Sequence, residues 1–294
     1  MLDHRVRGFT MLELAVVLLI IALVLGGGGV LFIASLRGHQ MDDTKARMAA
    51  IQQALLDYRH VYQRIPCPAD ITYTTCAASF GLESGTVDTD TGSSTYGQFI
   101  GCAYGSGTPQ ANFRSGNVYG GMVPTQELNL PDEFAFDGWG RRVLYVVDAA
   151  FTVTNALLPT TINPNNGNFV ALTDTEPRIT ITNTMSPGGA VKTSSAAYVL
   201  VSFGVNGHGA YPRLGSLVDS VGNCIETSLL PPIAAYSENL DEQQNCHCDA
   251  DATSTVFDAM FVQHASTSDA ANVLDSFDDV VRYATRADLR AAYE

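Results

Sequence analysis

Positive charge is in short supply. Sixteen Lys and Arg residues stand against 30 Asp and Glu, and charged residues make up only 16% of the 294-residue chain. With a net charge of −14 the chain is a poor ligand for phosphate backbones, which argues against a nucleic-acid partner. Catalytic signatures are missing too. There is no Gly-x-Ser-x-Gly elbow and no phosphate-cradling G-x-x-x-x-G-K-[ST] loop, and the glycine-rich stretch 204–209 does not fit the dinucleotide fingerprint. His208, lying among glycines, reads as an exposed turn residue rather than a general base, and His60 and His264 have no partners at suggestive spacing, so no enzyme is expected. Paired Cys-x-x-Cys spacing is also absent, and Cys246-His247-Cys248 lacks the geometry of a zinc clip.

What the chain has is unevenly spread. Gly, Ser, Thr and Asn dominate residues 77–121 and 152–195, the look of an exported, loop-rich β domain. Its six cysteines are Cys67, Cys76, Cys102, Cys224, Cys246 and Cys248. An even count in an exported chain favours disulfides, but six cysteines allow fifteen pairings and the sequence does not choose among them.

The densest apolar block lies at the N-terminus. Residues 9–36 hold one ionisable group, Glu13, and exceed the roughly 20 residues a helix needs to span a bilayer. A secretory signal peptide fits badly, because the run is longer than an ordinary h-region and no A-x-A-like site follows it. A plain anchor explains the length but not Glu13, since a carboxylate in hydrocarbon costs about 2.5–3.5 kcal/mol.

The stretch "RGFTMLELAVVLLIIAL" resembles the N-terminus of type IV prepilins and the related pseudopilins. The carriers of that resemblance are the basic leader ending in Gly8, the aromatic Phe9, Glu13 at the fifth mature position, and the long apolar run. The resemblance implies cleavage between Gly8 and Phe9 by a prepilin peptidase, N-methylation of Phe9, and an assembly role for Glu13. The physical rationale is charge matching. Cleavage creates an α-amino group on Phe9, and the Glu13 carboxylate of one subunit can pair with that amine on a neighbour.

Gly26, Gly27, Gly28 and Gly29 sit in the middle of the apolar run. Each costs roughly 0.8–1 kcal/mol relative to Ala inside a helix. They can serve close helix packing in lipid, or mark a weak point where the spine loses helicity in a fibre, as the resemblance implies.

Beyond residue 37 the helix signal becomes amphipathic. Met41, Met48, Ile51, Leu55, Tyr58 and Tyr62 form one apolar stripe at helical period, and residues 65–68, Ile-Pro-Cys-Pro, end it. Residues 68–121 read as a variable loop tied by Cys67, Cys76 and Cys102. Strands are expected at 143–147, 178–184 and 198–203, with a closing strand near 277–281 and a small C-terminal helix. Asp137, Trp139, Gly140 and Tyr145, and then Ser202, Gly204 and Gly207, resemble two stretches of major pseudopilins of type II secretion systems.

That resemblance also raises calcium, which such proteins bind at an acidic C-terminal loop. Here Asn206 stands where an acid is expected. Asp241, Glu242, Asp249 and Asp251 offer oxygens without EF-hand spacing, and a solvated acidic loop without metal is the plainer expectation.

The expectation is therefore a pilin-like α+β fold, a long helix packed on an antiparallel sheet with long loops. Its parts are a leader at 1–8, a transmembrane half-helix at 9–36, an amphipathic half-helix at 37–65 and a periplasmic head at 66–294. The function implied is that of a structural fibre subunit, minor or tip-associated, of a type IV pilus or secretion pseudopilus. Its partners would be other pilin or pseudopilin subunits, the prepilin peptidase and an inner-membrane assembly platform. The alternative is a pilin-like adhesin whose loops at 77–121 and 152–195 contact a surface ligand.

Overall fold

The computed structural model describes residues 11–104, 113–153, 179–207, 209–211, 213, 239–245, 259–267 and 277–291, the side chains of 22–37, 286, 290 and 291 excepted. The first element, α1 (Met11–Tyr62), is an unbroken helix of 52 residues, about 78 Å at 1.5 Å per residue. It runs without interruption through glycines 26–29.

The apolar stripe packs where its spacing places it. Met48, Ile51 and Leu55 are fully buried and Tyr58 nearly so, while Tyr62 at the end of the helix is exposed and packs its ring at a tilt against that of Tyr58. The helix stops at Tyr62, three residues before the expected boundary. Gln63 adopts a left-handed conformation (φ 56°), and its N–H donates to Arg59 O at 2.8 Å. That closes the last turn before Pro66 and Pro68 are reached.

The head is built on a five-stranded antiparallel sheet in the order β10-β8-β5-β4-β3: β3 (Phe113–Ser115), β4 (Val118–Met122), β5 (Leu144–Asp148), β8 (Ala196–Ser202) and β10 (Val280–Thr285). Strands β5 and β8 are buried on both faces. Val143, Tyr145, Val147, Tyr198 and Leu200 pack towards α1. Leu144, Val146, Val199 and Val201 pack the other way, against Ile179, Ile181 and Phe261. This double burial explains why both segments read as near-continuous apolar runs rather than as alternating strands.

The second layer is a small sheet, β7-β6-β9: β6 (Thr180–Thr182), β7 (Val191–Thr193) and β9 (Met260–Val262). Its β6–β9 pair is parallel, which departs from the antiparallel expectation. The chain between them is long enough for the crossover a parallel pair requires. A short helix, α2 (Leu240–Asn245), packs on β9, and α3 (Arg286–Ala291) follows β10. A two-stranded ribbon, β1 (Gly85–Val87) with β2 (Phe99–Cys102), stands beside the main sheet.

The 68–121 segment is less loop-like than expected, because it contributes the ribbon and two strands of the main sheet. Its bridge joins Cys67 to Cys102. Cys76 is exposed and free of a disulfide, so it is not part of the expected three-cysteine tie. Cys224, Cys246 and Cys248 lie outside the described residues. A buried ion pair reinforces the joint: Arg64 donates to both Glu83 oxygens at 2.9 and 2.6 Å, and Glu83 Oε2 also accepts Cys67 N–H at 2.9 Å.

Helix and head also meet at a turn of residues 137–140. Asp137 Oδ1 accepts the N–H groups of Trp139 and Arg141, both at 2.9 Å, and its Oδ2 accepts Ser202 Oγ at 2.8 Å. Gly138 N–H donates to Thr44 Oγ1 on α1 at 2.9 Å. A Cβ on Gly138 would lie 2.1 Å from Gln40 O, so no larger residue fits beneath the helix.

Candidate functional site

Two features carry chemistry. The first is the start of α1. Glu13 lies in its first turn and is exposed, among side chains that are apolar and equally exposed, including Leu12, Leu14, Val16, Leu19 and Ile20. Gly8 and Phe9 lie outside the described residues, as do the side chains around glycines 26–29. Among the described residues no helix is long and apolar enough to cross a membrane.

The second feature is a buried acidic cluster formed by Glu242, Asp278 and Asp279. Each offers a carboxylate oxygen, and these oxygens lie within 4.8 Å of one another. Three elements bring them together. Glu242 comes from α2, whose N-terminus is capped by Asn239, its Oδ1 accepting Asp241 N–H at 2.9 Å. Asp278 and Asp279 immediately precede β10. The turn after β8 supplies donors: Val205 and Asn206 N–H bond Asp278 Oδ2 at 2.9 and 3.0 Å.

Asn206 Nδ2 grips both Glu242 oxygens, at 2.8 and 2.9 Å, and Asp278 N–H donates to Glu242 Oε1 at 2.9 Å. Asn245 Nδ2 donates to Asp279 Oδ2 at 3.0 Å. Gly204 has a positive φ of 54°, and a Cβ there would fall 2.1 Å from Asp278 Oδ1. Glycine at 204 is thus required both by the turn and by the carboxylate beside it.

The electrostatics of this cluster are unfavourable for three charges. Burial, followed by repulsion from Glu242, pushes the Asp278 carboxyl up to about 7. Burial, Glu242 and Asp278 together push Asp279 well above the ordinary carboxylate range. Asp278 Oδ1 and Asp279 Oδ1 are buried and accept no hydrogen bond. Orphaned buried oxygens in an all-oxygen cluster fit a hard cation.

The sequence-level ligand set is only partly met. Glu242 is in the cluster, but Asp241 is not. Its Oδ1 accepts Thr184 Oγ1 and Met185 N–H at 3.0 and 2.6 Å, and its Oδ2 lies 3.0 Å from His264 Nε2. Asp249 and Asp251 lie outside the described residues. Glu242 is thus buried rather than solvated. His264, read from sequence as lacking a partner, has one in Asp241.

Sequence reasoning did not connect Asp278 and Asp279 to this site. The available signal was a pair of adjacent acids interrupting an apolar stretch, Phe277 to Val281.

Residues 3–29 match the family model described as the prokaryotic N-terminal methylation motif. Neither a curated protein nor a solved structure matches the chain. The matched residues contain Gly8, Phe9 and Glu13, and they mark the N-terminus as the prepilin-type cleavage and methylation segment of a type IV pilin- or pseudopilin-like precursor.

Proposed function

We propose that the chain is a structural subunit of a type IV pilus or type II secretion pseudopilus. A prepilin peptidase cuts it after Gly8 and Phe9 is N-methylated. Before assembly, residues 9–36 anchor it in the bacterial inner membrane, with the head in the periplasm. An inner-membrane platform then transfers it into a fibre with other pilin or pseudopilin subunits.

The methylation motif at residues 3–29 carries this reading. The exposed apolar side chains at the start of α1 support it, because such a surface needs lipid or neighbouring helices to cover it. Glu13 among them then has a partner in the Phe9 amine of an adjacent subunit. Glycines 26–29 are where the spine yields on passing from bilayer to fibre. The size of the head, larger than a typical major subunit of the family, favours a minor or tip-associated place.

The test is N-terminal sequencing and intact mass of the mature protein, with a Glu13→Ala comparison. The reading requires a first residue of methylated Phe9. A mature chain starting anywhere else sinks it. Normal processing and normal assembly of Glu13→Ala would leave the family intact and remove the charge-pairing role.

A further inference from the structure

We propose that the chain docks on a second copy of itself, the acidic turn at residues 88–90 of one subunit seating in a cradle of Tyr104, Arg114 and Tyr119 on the next. The inference rests on the fibre reading, because the fibre is what brings copies together. A minor subunit satisfies it as a short run of consecutive copies.

The cradle lies at one edge of the main sheet. Arg114 on β3 and Tyr119 on β4 are directly opposite in the pairing, so their side chains share a face. The Arg114 guanidinium stands 5.4 Å from the Tyr119 ring centre and 5.8 Å from that of Tyr104, which follows β2. Both distances are within cation–π range. Arg114 Nε also donates to Gly116 O at 2.9 Å. The guanidinium is thus fixed, yet Arg114 is exposed and so is Tyr104. Among the described residues no carboxylate pairs with Arg114. Acids outnumber bases by 30 to 16 in this chain, so an ordered arginine with no acid beside it points to a carboxylate from outside the subunit.

The matching surface is the far end of the β1–β2 ribbon. Asp88 Oδ1 accepts Asp90 N–H and Asp90 Oδ1 accepts Gly92 N–H, both at 2.9 Å, while Thr95 Oγ1 donates to Asp88 Oδ2. Hydrogen bonds from Ser93 and Thr95 hold the Asp88 carboxyl below its ordinary value, so the turn is charged at neutral pH. Neither aspartate has a basic partner among the described residues. Val87, Tyr96 and Ile100, each about half exposed, flank the turn with apolar surface.

The two surfaces are kept apart within one subunit. Asp88 N–H bonds Gln98 O, and residues 98 and 104 bound about 20 Å of extended chain. That separation is about twice the screening length at physiological salt. Between copies they are complementary, an acidic turn with an apolar rim against an arginine between two tyrosines. Tyrosine and arginine are also the residues that most often anchor interfaces. Contact between two different surfaces of identical chains is head-to-tail, and where the rotation does not close it propagates as an open helical filament.

The experiment expresses the full chain in its native host with p-benzoylphenylalanine at Tyr104. Cells are illuminated, then separated into sheared fibres and membranes. An adduct of twice the chain mass is expected, with the cross-linked peptide containing residues 88–98. Arg114→Glu should lower its yield about tenfold or more, by setting like charges against each other. The triple reversal, Arg114→Glu with Asp88→Lys and Asp90→Lys, should restore it to within about twofold of the starting chain.

The inference fails if no such adduct forms, if the cradle captures a different protein, or if the yield ignores Arg114→Glu. A chain found in sheared fibres without the adduct keeps the fibre reading and loses this contact. An adduct confined to membranes, with no chain in fibres, keeps the contact and sinks the fibre reading. Should a reversal variant fail to fold, the adduct of the chain labelled at Tyr104 alone decides.

Discussion

Replacing Cys67 and Cys102 together by alanine should cost about 4 kcal/mol. The bridge joins residues 35 positions apart, and the loop-closure relation for a ring of that size gives close to 4 kcal/mol of unfolded-state entropy at 25 °C. The folded state should change little. Ala69 and Met122 still exchange backbone hydrogen bonds at 2.8 and 2.7 Å, Ser84 N–H still donates to Pro68 O at 2.9 Å, and Arg64 still grips Glu83. The bridge thus acts mainly by restricting the unfolded chain.

Substitution is a cleaner perturbation than a reductant, because it is confined to the one bridge. The assay is guanidinium unfolding of the detergent-solubilised chain followed by tyrosine fluorescence, with Cys76→Ala as the control. Cys76 is exposed and outside the bridge, so its loss should stay within about 0.5 kcal/mol. A double variant that loses less than about 1 kcal/mol would refute the reasoning. The excursion 68–101 would then be restrained without the sulfur link.

Three further outcomes are expected. Glu83→Gln strands the Arg64 guanidinium in a site where both side chains are under a tenth exposed, and should cost about 3–5 kcal/mol; a loss below 1 kcal/mol in the same unfolding assay would show that the pair is solvated. Gly138→Ala forces a methyl against Gln40 O and should cost about 1–3 kcal/mol, with faster exchange of the residue-138 amide that donates to Thr44; an unchanged midpoint would mean the turn does not bear on the helix. Asp137 has its carboxyl raised above 3.8, burial outweighing its bonds from Arg141, Ser202 and Trp139. The native state therefore binds that proton more tightly than the unfolded chain. This contribution is full below the ordinary value and fades as pH rises through the raised one, so Asp137→Asn should flatten the fall in stability as pH rises above the ordinary carboxylate range. Parallel profiles for wild type and variant would contradict it.

The parts of the fold that were legible are those where burial writes a period into the sequence. Met48, Ile51, Leu55 and Tyr58 repeat at helical spacing because one face of α1 meets the sheet. β5 and β8 are visible because both of their faces are covered. β4 was hidden by its composition. Gly120 and Gly121 look like turn residues, yet a Cβ on Gly120 would crowd Phe113 and Val146 at 3.3 Å, so that glycine is a packing choice within a strand. Arg59 and Thr44 are fully buried polar residues on the helix, and no periodicity flags them. The N-terminal methylation motif at residues 3–29 was legible because its marks lie within one short stretch of sequence. The acidic cluster was read only at Glu242, since its members meet through tertiary packing alone and local spacing holds no trace of that.

The close fit of Gly138 beneath Gln40 has a mechanical consequence. From Gln40 onwards the helix is keyed to the head: Thr44 accepts from the turn and Arg47 reaches the carbonyls of Glu133 and Phe136 at 3.0 and 3.1 Å. A helix seated in such a notch cannot rotate about its own axis without dragging the sheet along. Tension or torque applied to the first forty residues is therefore delivered to the head as to a rigid handle. Any compliance along the spine must reside upstream of that notch.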